Sequence, residues 1–316
     1  MKILNTFGEF FAPEAKAMLE TLGDVSYKEM THSELLKVVS QYDILVVGIL
    51  PMIDKEIMDA AANLKYIVIP ANTLENIEVD YAKEKGIEVV SLWGEEEVLA
   101  NITGTAELAF GLMIDIMRKT PWAFDDVKSY RWRREFFRGK NLFGKTLGII
   151  GMGRLGTWMA KYASAFGMDI LYYSPHTDSV DVPNCRKVEL DELLAESDVI
   201  SLHAHLNEET EQMLGAEQFK KMKNTAYLVN TARGKICDED ALLEALTNGD
   251  IAGYAADVLA DEFHFDDTGL AHHPLIDYAK ENQNVILVPH IGGMTVESRE
   301  TTDVFVTKKL KGMLEK

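Results

Sequence analysis

The run Leu147-Gly148-Ile149-Ile150 passes directly into Gly151-Met152-Gly153-Arg154-Leu155-Gly156, and then into a segment with apolar residues at Leu155, Met159 and Ala163 that Gly167 can end. An apolar run, three glycines in the spacing G-x-G-x-x-G and a helical period together predict a strand, a tight turn and a helix. Gly151 permits the turn, Gly153 lets backbone N–H groups approach an anion, and Gly156 lets the helix lie close on the strand. The ligand suited to this arrangement is a dinucleotide, its pyrophosphate at the positive end of the helix. Arg154 and Leu155 stand on the same loop and are counted with Gly151, Gly153 and Gly156 as cofactor contacts. Without a following helix the glycines would mark no more than an ordinary turn.

A chain of 316 residues is long for one compact domain, so two are expected. The excess of 51 acidic over 32 basic residues gives a net charge of −19, which disfavours nucleic acid and anionic membranes as partners. An anionic ligand therefore needs a local cation, and single arginines become informative. No apolar run of membrane-spanning length and no signal peptide is read, and Cys185 and Cys237 lack disulfide or metal spacing. The expectation is a cytoplasmic protein.

Strand signals at Lys2–Asn5, Asp24–Tyr27, Ile44–Val47, Tyr66–Ile69 and Glu88–Val90 alternate with helical stretches, one of them behind the capping box Thr31-x-x-Glu34. Five βα repeats predict a small parallel sheet with helices on both faces. A long helix over 101–120, ended by Pro121, interrupts the rhythm and sets a domain boundary. Trp122–Phe137 reads as an irregular connection whose Arg131-Trp132-Arg133-Arg134 run is a packed surface or subunit contact. From Leu147 a second series begins, with strands at Leu147–Ile150, Asp169–Tyr173, Val199–Leu202, Ala226–Asn230, Ile251–Asp257 and Val285–Val288. This is the doubly wound pattern, in which ligands gather at the carboxyl ends of the strands.

Three residue groups follow such strand ends: Asn230-Thr231-Ala232-Arg233-Gly234, Asp257 with Glu262, and Pro289-His290-Ile291-Gly292-Gly293. Taken singly, an arginine there is an ordinary surface ion-pair partner and a Pro-His is an ordinary loop residue. Together with the glycine loop, and in this order and spacing, the chain resembles the D-isomer-specific 2-hydroxyacid dehydrogenases over nearly its whole length. The resemblance implies a Rossmann nucleotide domain over 101–289 and a smaller flavodoxin-like α/β substrate-binding domain made of 1–100 with 290–316, the last part a helix returning over 295–314. It also implies hydride transfer between a nicotinamide cofactor and C2 of a D-2-hydroxy or 2-oxo acid, and a homodimer.

By that resemblance Arg233, Glu262 and His290 are the catalytic set. A guanidinium grips an α-carboxylate bidentately, an imidazolium donates to the oxygen as C2 is reduced, and a carboxylate beside the imidazole fixes its tautomer and favours its charged form. Asp257 resembles the family residue that meets the nicotinamide carboxamide, and Thr231 and His203 belong to the same cofactor set. Ala71, Asn72 and Thr73, after the fourth strand, resemble the loop whose backbone meets the substrate carboxylate. The family usually has glycine where this chain has Thr73, which alters the loop. Leu50-Pro51-Met52 is a further lining segment, and Asn101 is read as a hinge residue or a helix cap.

The position that normally carries an acid for the adenosine ribose is Ser174, with no arginine beside it; NAD is preferred and NADP left open. His203 and His205 alternate on the third strand of this series, which puts them on one face, yet no third ligand accompanies them, and no metal is expected. Phe263–Asn284, with His264, His272 and His273, reads as a lid, a subunit contact or a surface excursion. Two other readings stay open: a nucleotide-sensing interaction protein like the family's corepressors, and a formate-dehydrogenase-like enzyme. The Arg233, Glu262 and His290 set favours catalysis over the first. The second branch typically has glutamine where this chain has Glu262.

Overall fold

The computed structural model describes residues 1–264 and 272–315. Contacts divide the chain into two compact units, one built on Met1–Ile102 with Met294–Lys316, the other on Thr103–Glu262 with Ala271–Gly293.

The first unit is a parallel sheet of β1 (Lys2–Asn5), β2 (Asp24–Tyr27), β3 (Ile44–Val46), β4 (Tyr66–Val68) and β5 (Glu88–Val90), in the order β2-β1-β3-β4-β5. Strands covered on both faces need apolar residues at odd and even positions alike. Ile3, Ile44, Val46 and Val68 accordingly enter one core, while Leu4, Leu45 and Ile67 enter another across the sheet. The first core is completed by Val306 and Leu310 of the helix Val296–Leu314. That helix is held to the start of the chain by Asp303, whose Oδ2 accepts the N–H of Ala12 at 2.9 Å. The expected Thr31–Glu34 capping box is present at the helix His32–Val38.

The second unit is a seven-stranded parallel sheet of β6 (Thr146–Ile150), β7 (Asp169–Tyr173), β8 (Cys185–Lys187), β9 (Val199–Leu202), β10 (Tyr227–Asn230), β11 (Gly253–Ala256) and β12 (Val285–Leu287). Its order, β12-β11-β10-β9-β6-β7-β8, is doubly wound and reverses direction at β6. The loop after β6 therefore lies at the switch point, where open α/β sheets bind ligands. Residues alternate between two cores here too: Leu147, Ile149, Val199 and Val229 face one side, Ile150, Ile200 and Leu228 the other.

Several expectations change. The helix begins at Gly104, not Asn101, and ends at Arg118; Thr103 stands at the cap, so Asn101 is not the capping residue. Pro121 does not end the helical region: Lys119 turns the chain with φ 58°, and Pro121 enters the first turn of a new helix, Thr120–Lys128. The connection read as irregular thus contains a helix and a 3₁₀ turn at Arg134–Phe137. β8, an edge strand, was absent from the sequence reading. His203 and His205 lie beyond the end of β9 and not on it. The stretch Glu96–Arg118 is long and apolar enough to cross a membrane by length and composition, with mean hydropathy 1.2. Its Ala109, Met113, Ile116 and Met117 instead form core with β6 residues Leu147 and Ile149. The lid reading of Phe263–Asn284 falls partly on 265–271, outside the described residues.

Candidate active site

The glycine loop fits an anion for three distinct reasons. Gly151 has φ 94°, and a Cβ there would come within 2.5 Å of the Ala204 nitrogen. A Cβ at Gly156 would lie 2.2 Å from the Gly151 carbonyl oxygen, so the helix can approach only as glycine. At Gly153 a Cβ would meet nothing within 4 Å. The first two glycines serve the fold, and the third leaves open the approach to the N-terminus of the helix Arg154–Ala165. Among the described residues no side chain caps that helix, so its leading N–H groups remain for a ligand. Thr231 adds a buried hydroxyl with no hydrogen-bond partner among the described residues, at the carboxyl end of β10. The residues present therefore fit a dinucleotide.

Neighbouring strand ends frame the loop. Gly151 donates its N–H to Tyr173 O at 2.9 Å and His203 its N–H to Ile150 O at 2.7 Å, which brings Ser174 and His203 to either side. Ser174 is buried. Asp178, close to it in sequence, pairs with Lys187 at 3.0 Å. Burial pushes the His203 imidazole down to about 4, and Ser201 Oγ lies 2.9 Å from its Nε2, so the ring is neutral at ordinary pH.

The three chemistry-bearing loops are linked in a chain. After β10, Asn230 Oδ1 accepts the N–H of Ala232 at 3.0 Å and Asn230 Nδ2 donates to Arg233 O at 2.9 Å, shaping the turn that carries Arg233. Gly234 then presses on the β11 loop so closely that a Cβ would lie 2.1 Å from the Ala260 nitrogen. Lys235 Nζ reaches Asp261 Oδ1 at 2.7 Å, one residue before Glu262. Glu262 Oε1 lies 2.9 Å from His290 Nδ1 after β12, with side-chain exposures of 11% and 22%. His290 itself has φ 53°, left-handed backbone that costs a non-glycine residue energy and concentrates at functional sites.

Asp257 follows β11 and faces the turn that carries His290. Both of its oxygens are engaged by backbone, Oδ1 by Ile291 N at 2.6 Å and Oδ2 by Gly292 N at 2.8 Å, so its carboxylate fastens the His290 turn. Burial pushes this carboxyl up, while those two N–H groups pull it back. The link through Gly234, Lys235 and Asp261 escaped sequence reading, since a Lys–Asp pair 26 positions apart has no local signature. In the first unit, Ala71, Asn72 and Thr73 follow β4, and Asn76 Nδ2 donates to Gly48 O at 2.8 Å. That bond ties their loop to the one bearing Leu50-Pro51-Met52. The arginine run is used internally: Arg131 and Arg133 contact the buried carboxylate of Asp126 at 2.5 and 2.6 Å.

Residues 110–292 match the model of the D-isomer-specific 2-hydroxyacid dehydrogenase NAD-binding domain. The chain is 37% identical over 287 residues to a hydroxypyruvate reductase of Thermotoga maritima, covering 91% of this chain and 90% of that one. It is 38% identical over 285 residues to a glyoxylate reductase of Thermococcus litoralis, covering 87% and 82%. Among solved structures, the D-lactate dehydrogenase of Aquifex aeolicus in complex with NAD and lactic acid superposes with a TM-score of 0.84 at 29% identity, covering 100% and 96%. With the glycine cradle at the switch point of a doubly wound sheet and a family match over most of that unit, the chain belongs to the D-isomer-specific 2-hydroxyacid dehydrogenases, NAD-dependent oxidoreductases of 2-hydroxy and 2-oxo acids.

Proposed function

We propose that this enzyme reduces a small 2-oxo acid of the glyoxylate and hydroxypyruvate class to the D-2-hydroxy acid, with Arg233 as carboxylate clamp and His290–Glu262 as the acid–base pair. The observation that carries the reading is the 2.9 Å contact between His290 Nδ1 and Glu262 Oε1. With Nδ1 on the carboxylate, Nε2 is the nitrogen that exchanges a proton with substrate, and Glu262 stabilises the ring while it is charged. Bound NAD supplies or accepts the hydride at C2. Arg233 holds the α-carboxylate in the plane of the carbonyl, and so orients C2 while His290 protonates the oxygen. Ala71, Asn72 and Thr73 are assigned to the same carboxylate through backbone N–H groups. The glycine loop with Arg154 and Leu155 is assigned to the pyrophosphate, and Ser174, His203, Thr231 and Asp257 to the rest of the cofactor site. The reductases of Thermotoga maritima and Thermococcus litoralis support the substrate class.

The test follows NADH absorbance with a panel of 2-oxo acids. Arg233→Ala should raise KM for the acid, and His290→Ala should lower kcat about 100-fold or more with NADH binding retained. Wild-type kinetics in both variants would remove the mechanism, and NADH binding without turnover across the panel would favour a sensor.

The working form is proposed to be a homodimer in the cytoplasm. Trp132, Phe136 and Phe124 stand 84%, 68% and 63% exposed on and just after the helix Thr120–Lys128, and offer apolar side chains to a second copy. Both cysteines are free, as a reducing compartment requires. Sedimentation of wild type and of Trp132→Glu tests the dimer, which the charge should dissociate.

A further inference from the structure

Glu239 opens the helix Glu239–Asn248, whose cap is Asp238. An acid in a first turn ordinarily faces water and complements the helix dipole. Glu239 instead is only 16% exposed, and each of its oxygens has a partner. Oε1 accepts the N–H of Ala260 at 2.8 Å, and Oε2 lies 3.3 Å from Nε2 of His273, a side chain 14% exposed at the start of the helix Pro274–Glu281. Ala260 is two residues before Glu262, in a turn where Asp261 has φ 57°. Left-handed backbone at Asp261 and again at His290 costs energy and persists only where neighbours hold it. Gly234 and Lys235 hold that turn from one side, and Glu239 holds it by the main chain itself.

We propose that Glu239 is a positioning residue for the acid–base pair: gripping the Ala260 amide and braced by His273, it fixes the turn that aims Glu262 at His290. The inference rests on the reading of Glu262 and His290 given above. A carboxylate in so covered a place costs stability unless both oxygens are engaged, which the Ala260 amide and His273 accomplish. Burial pushes the Glu239 carboxyl up, and these two partners oppose the shift. A misplacement of about 1 Å at a catalytic group costs up to about 100-fold in rate, so a small relaxation of this turn is kinetically visible.

The experiment compares Glu239→Ala, Glu239→Gln, His273→Gln and Glu262→Gln in the full chain. It uses NADH and whichever of glyoxylate, hydroxypyruvate and pyruvate the wild type reduces fastest. Glu239→Ala should lower kcat about tenfold or more, leave KM for NADH within about twofold, and move the pH limb of kcat in the same direction as Glu262→Gln. Glu239→Gln, which still offers an oxygen to Ala260, should recover most of the rate. A Glu239→Ala enzyme with wild-type kcat and pH limb overturns the proposal, as does one that loses rate with an unmoved limb and a raised KM for NADH. If Glu239→Ala does not fold, His273→Gln is judged by the same two readouts. A pH limb unmoved in Glu262→Gln would instead overturn the acid–base reading; a limb moved there but not in Glu239→Ala overturns only the role of Glu239.

Discussion

Asp257 Oδ1 receives the N–H of Ile291 at 2.6 Å and so binds the end of β11 to the turn that follows β12. With Gly292 on the other oxygen at 2.8 Å, one buried carboxylate sets the path of the residue next to it, His290. Asp257→Asn keeps the size but turns an amide N–H toward one of the two donors. It should cost about 1–3 kcal/mol in urea denaturation and lower kcat, because the imidazole shares the turn. An unchanged midpoint with unchanged kcat would show that the two bonds do not order the loop.

The glycines of the dinucleotide loop separate by what surrounds them. Gly153→Ala meets open space, so it should fold with little change in melting temperature and weaken NADH binding. Gly151→Ala combines a φ of 94° with a 2.5 Å approach to Ala204 and should lose stability before any ligand is added. Calorimetric melts with and without NADH distinguish the two, and the reverse pattern would contradict the assignment.

Arg299 Nη2 lies 2.5 Å from the fully buried carboxylate of Asp303, one helical turn away. Asp303→Ala leaves that guanidinium covered and uncompensated, at a cost of roughly 3–5 kcal/mol by chemical denaturation. Burial, opposed by Arg299, pushes the Asp303 carboxyl from 3.8 to about 6. The folded protein therefore holds this proton more tightly than the unfolded chain. The stability so contributed is complete below 3.8 and is lost as pH rises through about 6, a slope that Asp303→Asn should flatten.

His203 has the opposite dependence. Its pKa falls from 6.5 to about 4 on burial, so the unfolded chain takes up the proton first as acid is added. The associated stability is complete above 6.5 and is lost as pH falls through about 4. In cofactor-free protein, His203→Gln should show less acid-side loss over that window by urea midpoint. Identical pH profiles would mean the ring is open to water.

Apolar runs made most of the strands legible, because a sheet covered on both faces demands them. β8 was missed for the converse reason: Cys185-Arg186-Lys187 is a short edge strand with two exposed basic residues, chemically indistinguishable from a loop. Pro121 misled because proline serves equally after one helix and at the start of the next; only the left-handed Lys119 decides between them. Arg233, Glu262 and His290 follow strands, and the family resemblance marked them as a set. Glu239 was not marked, since a Glu after an Asp cap reads as an ordinary helix start. Its environment depends on Ala260 and His273, set by folding and not by spacing.

The bond from Ala12 to Asp303 spans 291 positions of sequence. Val306 and Leu310 close a core whose other walls include Ile3, Phe11 and Ile44. On the ribosome, a nascent chain that has exposed all five strands of its first sheet still lacks one wall. The second unit can finish while the first waits with apolar surface uncovered, and for that interval the unit whose strands were made before it is the one most in need of a chaperone.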